Sequence, residues 1–157
     1  MLFRSELRDF RLGGAELAGA AKARFAAIRE RLAALTSRFS DNLLDATDAF
    51  AHVVTDDNEL AGIPDDVRQA AREAAVKDGA TGWKFTLHAP SYLPVMQYAA
   101  HRPLRERLYR AYATRAAEFG KPEWDNTALI DEIVNLRHEL AQLLDFPSFG
   151  EIGRAHV

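Results

Sequence analysis

Apolar residues in the segment 15–50 recur at alternate steps of three and four, a spacing that predicts one long amphipathic helix. The positions of this stripe are Phe25, Ile28, Leu32, Leu35, Phe39, Leu43, Ala46 and Phe50. A second stripe follows a capping Asp125 or Asn126 and predicts a final helix through Leu129, Ile133, Leu136, Leu140, Leu143 and Leu144. Because long helices depend on packing along their length, both stripes are expected to lie in the core. An intermolecular coiled coil is the alternative for the first stripe.

Two short β-prone runs lie between these helices, at about 51–55 and 83–88. They are expected to pair antiparallel, because the segment 56–82 that separates them is long enough to contain helices of its own. The predicted fold class is therefore mainly α: a long amphipathic helix packed with several further helices, plus a small two-stranded β element.

Prolines and glycines predict the other helix boundaries. Pro64 suits the first position of a helix that ends near Lys77, and Pro103 that of a helix that ends at Gly120.

Residues 88–94 are predicted to turn the chain from a strand into a helix. Pro90 and Pro94 cannot donate to a sheet, so the strand must stop before them. Ser91 is the expected N-cap of the next helix, with Pro94 in its first turn. Residues 1–12 are expected to be a short extended lead.

Composition narrows the class of protein. The 157 residues, 48% of them hydrophobic, can bury one domain core. A formal net charge of −3 argues against a nucleic-acid partner, and no apolar run approaches the roughly 20 residues of a membrane span.

Without cysteine the chain can form neither disulfides nor thiolate metal sites, which fits a reducing compartment. Charges directly after Phe3 argue against a signal peptide, so the predicted location is the cytoplasm.

One short motif invites comparison with zinc peptidases. His138 and Glu139 match the start of a His-Glu-x-x-His helix, but Gln142 stands where the second histidine is needed. A neutral amide is a poor zinc ligand, so we interpret His138 and Glu139 as a solvated pair beside the second stripe. No metal ligand is assigned.

The other histidines and the charged clusters have structural interpretations. His52 and His88 could approach one another if the strands pair, but two histidines make a weak metal site. His101 is interpreted as a helix-end residue, favourable to a C-terminal dipole. The acidic run Asp56, Asp57 and Glu59 is explained by capping, and Ser91 lacks a nucleophile-elbow pattern.

Several arginines and tyrosines fall together in the predicted helix after Pro103. The group could be a basic aromatic face for nucleic acid, but the spacing spreads it around the helix, so a solvated surface with internal ion pairs is preferred. Its members are Arg102, Arg105, Arg107, Tyr109, Arg110, Tyr112 and Arg115. No catalytic residue is assigned, and the substrate-binding residues are unknown.

Four segments resemble the oligopeptidase A and thimet oligopeptidase family of zinc metallopeptidases. The segments are GWKFTLHAPSYLPVMQYA (82–99), SRFSDNLLDATDAF (37–50), LRERLYRAYATRAAEFG (104–120) and LRHELAQLL (136–144). The resemblance runs in one order from about Asp9 to about Phe146. It corresponds to the N-terminal, non-catalytic half of the family, whose His-Glu-x-x-His helix belongs further along. One departure is Asp145, where the family usually has a glycine.

The resemblance implies an almost wholly helical protein with two halves facing across a deep channel that admits short peptides. Residues 1–150 are accordingly interpreted as part of the N-terminal helical domain, forming channel wall and inactive alone. A missing C-terminal catalytic half would hold zinc and a glutamate that activates water. The implied partners are that half and short peptides, with neither nucleic acid nor membrane.

A different hypothesis is an independent helical module that binds a protein partner. A fragment is expected to leave a large apolar patch uncovered, whereas an evolved module should close its core.

The final residues 151–157, EIGRAHV, show no helical or strand period. They match the translation of a common sequencing adapter, so Ile152 to Val157 are interpreted as read-through rather than native protein. Glu151 is ambiguous, and His156 is not a candidate for any site. An ordinary C-terminal tail is the alternative.

Overall fold

The computed structural model describes residues 2–154, and the side chains of residues 6–152. Within that range the chain is mainly helical and carries one two-stranded antiparallel sheet, so the predicted fold class is confirmed. The helices are α1 (Leu2–Leu12), α2 (Gly19–Asp48), α3 (Asp65–Lys77), α4 (Ala89–Tyr98), α5 (Arg102–Ala113), α6 (Thr127–Leu143) and α7 (Phe149–Arg154). The strands are β1 (His52–Val54) and β2 (Trp83–Phe85), and short 3₁₀ helices cover Asp57–Leu60 and Pro122–Trp124. None of the described helices has the length and apolarity to cross a membrane.

Two compact units divide the chain. The first contains residues 1–40 and 127–157 as far as they are described, and the second contains residues 41–126. Residues of α2 up to Ser40 belong to the first unit, and those from Asp41 belong to the second.

The first unit is built on the two apolar stripes predicted from the sequence. Phe25 and Ile28 of α2 and Leu140 and Ala141 of α6 lie in one buried cluster, together with Leu12. Each large apolar side chain that is fully buried contributes about 1.5–3 kcal/mol. These contacts, rather than helix propensity alone, stabilise the long helices.

The second unit is built around the small sheet. The strands pair antiparallel, as predicted, with His52 opposite Phe85 and Val54 opposite Trp83. The buried core of this unit includes Val54, Leu60, Phe85, Leu87, Val95, Leu104 and Leu108.

The prediction of an extended lead at residues 1–12 is wrong, since Leu2–Leu12 forms α1. The segment contains no glycine or proline and is rich in leucine and arginine, which favour helix. The helix ends where Gly13 N donates to the Asp9 carbonyl at 2.8 Å and Gly14 adopts a φ of +78°. Left-handed geometry of this kind commonly terminates helices.

The predicted start of α4 also needs correction. His88 occupies the N-cap without a side-chain bond, and Ser91 lies inside the first turn. The Ser91 hydroxyl instead accepts a hydrogen bond from Thr86 N at 3.0 Å, which joins the end of β2 to α4. Pro90 is already in the first turn because its fixed φ suits a helix start. Pro94 therefore lies in the helix interior rather than in its first turn.

The end of α5 comes earlier than Gly120. The helix stops at Ala113, and Ala116 has a φ of +51°, a conformation that an α-helix cannot continue through. The Ala116 carbonyl accepts a hydrogen bond from Asn126 N at 2.9 Å, so the chain folds back here.

The expectation of no helical period in the last residues is wrong for the described part. Phe149–Arg154 forms α7, and Ile152 is buried in the cluster that contains Leu12 and Phe25. Residues 155–157, including His156, lie outside the described residues. The interpretation of residues 152–157 as read-through stays a prediction.

Candidate functional site

In the turn of α6 that resembles a zinc motif, Glu139 and Gln142 form hydrogen bonds with other residues of the first unit. Arg24 of α2 donates from Nε and Nη2 to the two carboxylate oxygens of Glu139, each at 2.6 Å. Gln142 Nε2 donates to the Phe146 carbonyl at 3.3 Å, and His138 is exposed. The Arg24 hydrogen bonds lower the pKa of Glu139 below its usual 4.5. Glu139 thus stays ionised and tied to another helix, which is unlike the free glutamate that a water-activating base requires.

A second pair of the same kind lies along the same two helices. Arg31 donates from Nε and Nη2 to the carboxylate oxygens of Glu132, at 2.6 and 2.8 Å. Both arginines lie on α2 and both glutamates on α6, in opposite chain order, so the helices run antiparallel. The sequence could not reveal these pairs, because 101 and 115 residues separate the partners.

His52 and His88 each have a partner of their own. The Nε2 of His52 lies 3.3 Å from a terminal guanidinium nitrogen of Arg107, whereas the Nε2 of His88 lies 3.0 Å from Oδ1 of Asp48. Burial lowers the pKa of His52 below its usual 6.5, and the charge of Arg107 lowers it further. His52 is therefore a neutral acceptor at pH 7.

His101 occupies the N-cap of α5, so its interpretation as a residue at a C-terminal dipole is wrong. Its Nδ1 lies 3.3 Å from Oε2 of Glu59, and this carboxylate supplies the negative charge beside the imidazole. The contact joins α5 to the 3₁₀ helix of the second unit.

The acidic run has the capping role that the sequence predicts. Oδ1 of Asp56 accepts a hydrogen bond from Asn58 N at 2.9 Å at the start of the 3₁₀ helix. Asp57 accepts from Arg68 at 2.7 Å.

Among residues 2–154, no three histidine or acidic side chains lie together in a group that could hold a metal ion. The residues described here therefore do not fit a zinc site.

Arg102, Arg107 and Arg110 of α5 are exposed, as the prediction of a solvated surface requires, whereas Arg105 and Arg115 also make contacts within the second unit. Arg105 donates to the Ala99 carbonyl. Arg115, just beyond the helix, donates to Thr47 Oγ1 at 3.0 Å, and its guanidinium lies 3.6 Å from the ring centroid of Tyr112. Tyr112 stacks in turn on Tyr92, with centroids 4.2 Å apart and ring planes 9° apart. Arg110 and Glu106, at 4.0 Å, form a loose ion pair on the helix surface of the kind that the spacing predicts.

A cavity of about 580 Å³ lies in the first unit between α1 and the C-terminal end of α6. Its apolar walls are Leu7, Leu12, Leu17, Leu143, Leu144 and Phe146, and its charged residues are Arg8, Arg11, Glu16 and Asp145. The cavity was not predicted from the sequence, because residues 1–12 were expected to be extended rather than to form α1. Its volume lies within the range of small-molecule sites.

Comparison with known proteins identifies the family. The sequence model of Peptidase family M3 matches residues 95–155. Oligopeptidase A of Haemophilus influenzae is 46% identical over 153 residues, which cover 96% of this chain and 22% of the relative. Oligopeptidase A of Escherichia coli is 46% identical over 145 residues, covering 91% of this chain and 21% of the relative. The probable cytosolic oligopeptidase A of Arabidopsis thaliana is 40% identical over 161 residues, covering 98% of this chain and 22% of the relative.

The chain thus spans about a fifth of the length of the curated relatives it matches. The similarity nevertheless covers nearly all of the chain, which agrees with the resemblance seen in the separate sequence segments. The chain is a homologue of one part of the oligopeptidase A proteins, in the M3 family of peptidases.

Proposed function

We propose that this chain forms part of the non-catalytic channel wall of a cytoplasmic zinc metallo-oligopeptidase that hydrolyses short peptides. The observation that carries the proposal is the 46% identity to oligopeptidase A across 96% of the chain. In this proposal the chain corresponds to the N-terminal region of the peptidase. The cytoplasmic location is part of this proposal, because a probable cytosolic and an organellar oligopeptidase A of Arabidopsis thaliana are both 40% identical to the chain.

Zinc belongs elsewhere in the proposed protein. Zinc peptidases hold the metal with a small set of histidine and acidic side chains and use a glutamate to activate water. The described residues of this chain offer no such group, and Glu139 is bound to Arg24. The chain would contribute walls and peptide contacts, and it would hydrolyse nothing alone.

An exposed apolar face on α6 supports the need for a further segment of protein. Ile130 and Val134 lie one turn apart with exposed fractions of 47% and 58%, beside the buried Ile133 and Leu140 of the same helix. A face of this kind agrees better with a part of a larger protein than with a closed independent module.

A chimera tests the proposal directly. This chain would replace the matching segment of Escherichia coli oligopeptidase A, and hydrolysis of short peptides would be followed with and without a zinc chelator. We expect the chimera to hydrolyse peptides in a chelator-sensitive way, and the isolated chain to show no hydrolysis. A chimera with native far-ultraviolet circular dichroism but no hydrolysis would contradict the proposal and favour the independent module.

Matched variants of the chimera test whether the exposed face is covered. The double substitution Ile130→Ser and Val134→Ser is expected to lower the melting temperature of the chimera while leaving that of the isolated chain unchanged. Val76→Ser removes an apolar side chain of α3 that is 67% exposed and serves as the control. Equal melting temperatures for all chimeras would show that nothing covers Ile130 and Val134.

A further inference from the structure

The cavity between α1 and the C-terminal end of α6 is lined by Arg8, one of whose donors makes no hydrogen bond among the described residues. Nε of Arg8 is buried and has no hydrogen-bond partner among the described residues. The nearest carboxylate oxygen is Oδ1 of Asp9, at 3.8 Å, beyond hydrogen-bond distance. An unsatisfied buried donor is costly, and in a native protein it calls for an explanation.

The other arginine at the cavity is already neutralised. Nε of Arg11 donates to Oε2 of Glu16 at 2.8 Å. Arg8, whose ion pair with Asp9 is looser at 3.8 Å, is therefore the arginine of this cavity with a donor left for an anion. A planar guanidinium suits a carboxylate, which can accept two parallel hydrogen bonds from it.

The walls indicate which carboxylate fits. Leucine side chains and Phe146 would surround an apolar group next to the carboxylate. Besides Arg8, the cavity offers the acceptor oxygens of Glu16 and Asp145. A peptide has backbone N–H groups that could donate to these oxygens, whereas a fatty acid has only its carboxylate and no such donor. The mixture of apolar walls, one cation and further acceptors thus favours a peptide over a fatty acid.

We propose that this cavity binds the C-terminal carboxylate of a short peptide that ends in an apolar residue, with Arg8 as the carboxylate ligand. The proposal rests on the proposed function, in which the chain belongs to a protein that handles peptides. It adds a peptide contact on the chain itself, and Leu17 and Leu144 line the pocket for the terminal side chain.

Binding to the 157-residue chain tests the proposal without any hydrolysis. Titration calorimetry would compare acetyl-Ala-Leu-Leu with a free C-terminal carboxylate, the same peptide as its C-terminal amide, and decanoate. We expect the free acid to bind about 10-fold more tightly than the amide, the ratio given by one charge-assisted hydrogen bond.

Two substitutions separate the role of Arg8 from a general charge effect. Arg8→Gln is expected to lower affinity for the acid to that for the amide and to leave amide binding unchanged. Arg38→Gln removes an equal charge from an exposed position on α2 in the same unit, and it is expected to change neither affinity. Circular dichroism would verify that both variants fold.

Three outcomes would overturn the proposal: no saturable binding, equal affinity for acid and amide, or full affinity for the acid in Arg8→Gln. Tighter binding of decanoate than of the peptide acid would instead assign the cavity to a fatty acid. An inactive chimera together with selective binding of the peptide acid would refute the proposed function alone. An active chimera without such binding would refute the cavity site alone.

Discussion

At the scale of single residues, Asp145 shows a local cost at the end of α6. Its φ is +61°, and Phe146 N donates to the Ala141 carbonyl at 2.9 Å, so the chain leaves the helix through left-handed geometry. Glycine adopts this backbone conformation without strain, whereas a residue with a Cβ is strained in it. A negative charge at a helix C-terminus is also unfavourable.

Asp145→Gly is therefore expected to raise the free energy of unfolding by about 1 kcal/mol. Asp145→Asn removes the charge but keeps Cβ, so its gain should be smaller. Denaturant titration of the three proteins measures the series. A destabilised glycine variant would show that the Asp145 side chain makes a compensating contact.

Gly82 and Gly79 form a matched pair for testing close approach of the backbone. Both have positive φ, of +109° and +71°. A Cβ on Gly82 would collide with the Val54 carbonyl of the paired strand, whereas one on Gly79 would meet nothing within 4 Å.

Gly79→Ala is expected to cost about 1 kcal/mol from backbone strain alone. Gly82→Ala adds a clash inside the sheet, and its total cost should be about 2–4 kcal/mol. Thermal unfolding of both variants gives the comparison. Equal costs would mean that β1 and β2 separate without penalty at Gly82.

His52 gives the fold a dependence on pH whose sign follows from its environment. Its pKa is lowered by burial and by Arg107, with Glu59 opposing. As the pH falls below 6.5, the unfolded chain binds this proton more readily than the folded chain, so stability is lost towards the lower folded pKa.

His52→Gln keeps an acceptor for Arg107 but cannot titrate. We expect the free energy of unfolding of this variant to fall less between pH 7 and pH 5 than that of the parent chain. Denaturant titrations at several pH values provide the measurement. Parallel pH profiles for the two proteins would refute the assignment to His52.

At the scale of elements, the antiparallel pairing of α2 and α6 combines an apolar seam with two forked ion pairs. The pKa of Glu132 and the pKa of Glu139 are both lowered by hydrogen bonds from arginine. Their contribution to stability is present above the ordinary pKa of 4.5 and is lost as the pH falls through the lower folded values. Salt weakens such exposed pairs as well.

A double-mutant cycle with Arg24→Gln and Glu139→Gln is expected to give a favourable coupling energy at pH 7 that shrinks at 1 M salt and at pH 3. Arg38→Gln with Glu139→Gln serves as the control cycle and should show no coupling. A coupling energy insensitive to both salt and pH would show that the pair acts through packing rather than charge.

Secondary structure was predictable where a long apolar period or a proline signal was present. The stripes of α2 and α6 and the pairing of the two strands are confirmed. The errors occur where one local signal competes with a tertiary contact. Ser91 is a good cap in isolation, but in the fold its hydroxyl accepts from Thr86 N. Alanine at position 116 does not indicate left-handed backbone, so the early end of α5 could not be predicted from the sequence.

At the scale of the whole molecule, the candidate cavity could not be predicted because it needs two segments distant in sequence. Leu144 and Phe146 lie more than a hundred residues from Arg8 and Leu17, and all four line the same cavity. Periodicity reports which face of a helix is buried, but it does not report which other segment meets that face.

The division into units has a consequence for the order in which the protein can form during synthesis. Residues 41–126 form one unit from a continuous stretch, so they can fold as soon as they leave the ribosome. Residues 1–40 are made earlier, yet their partners in the same unit begin at Thr127. The N-terminal helices must therefore wait, with Phe25 and Ile28 uncovered, until α6 emerges. The nascent chain is thus expected to be most prone to aggregation before α6 has been synthesised.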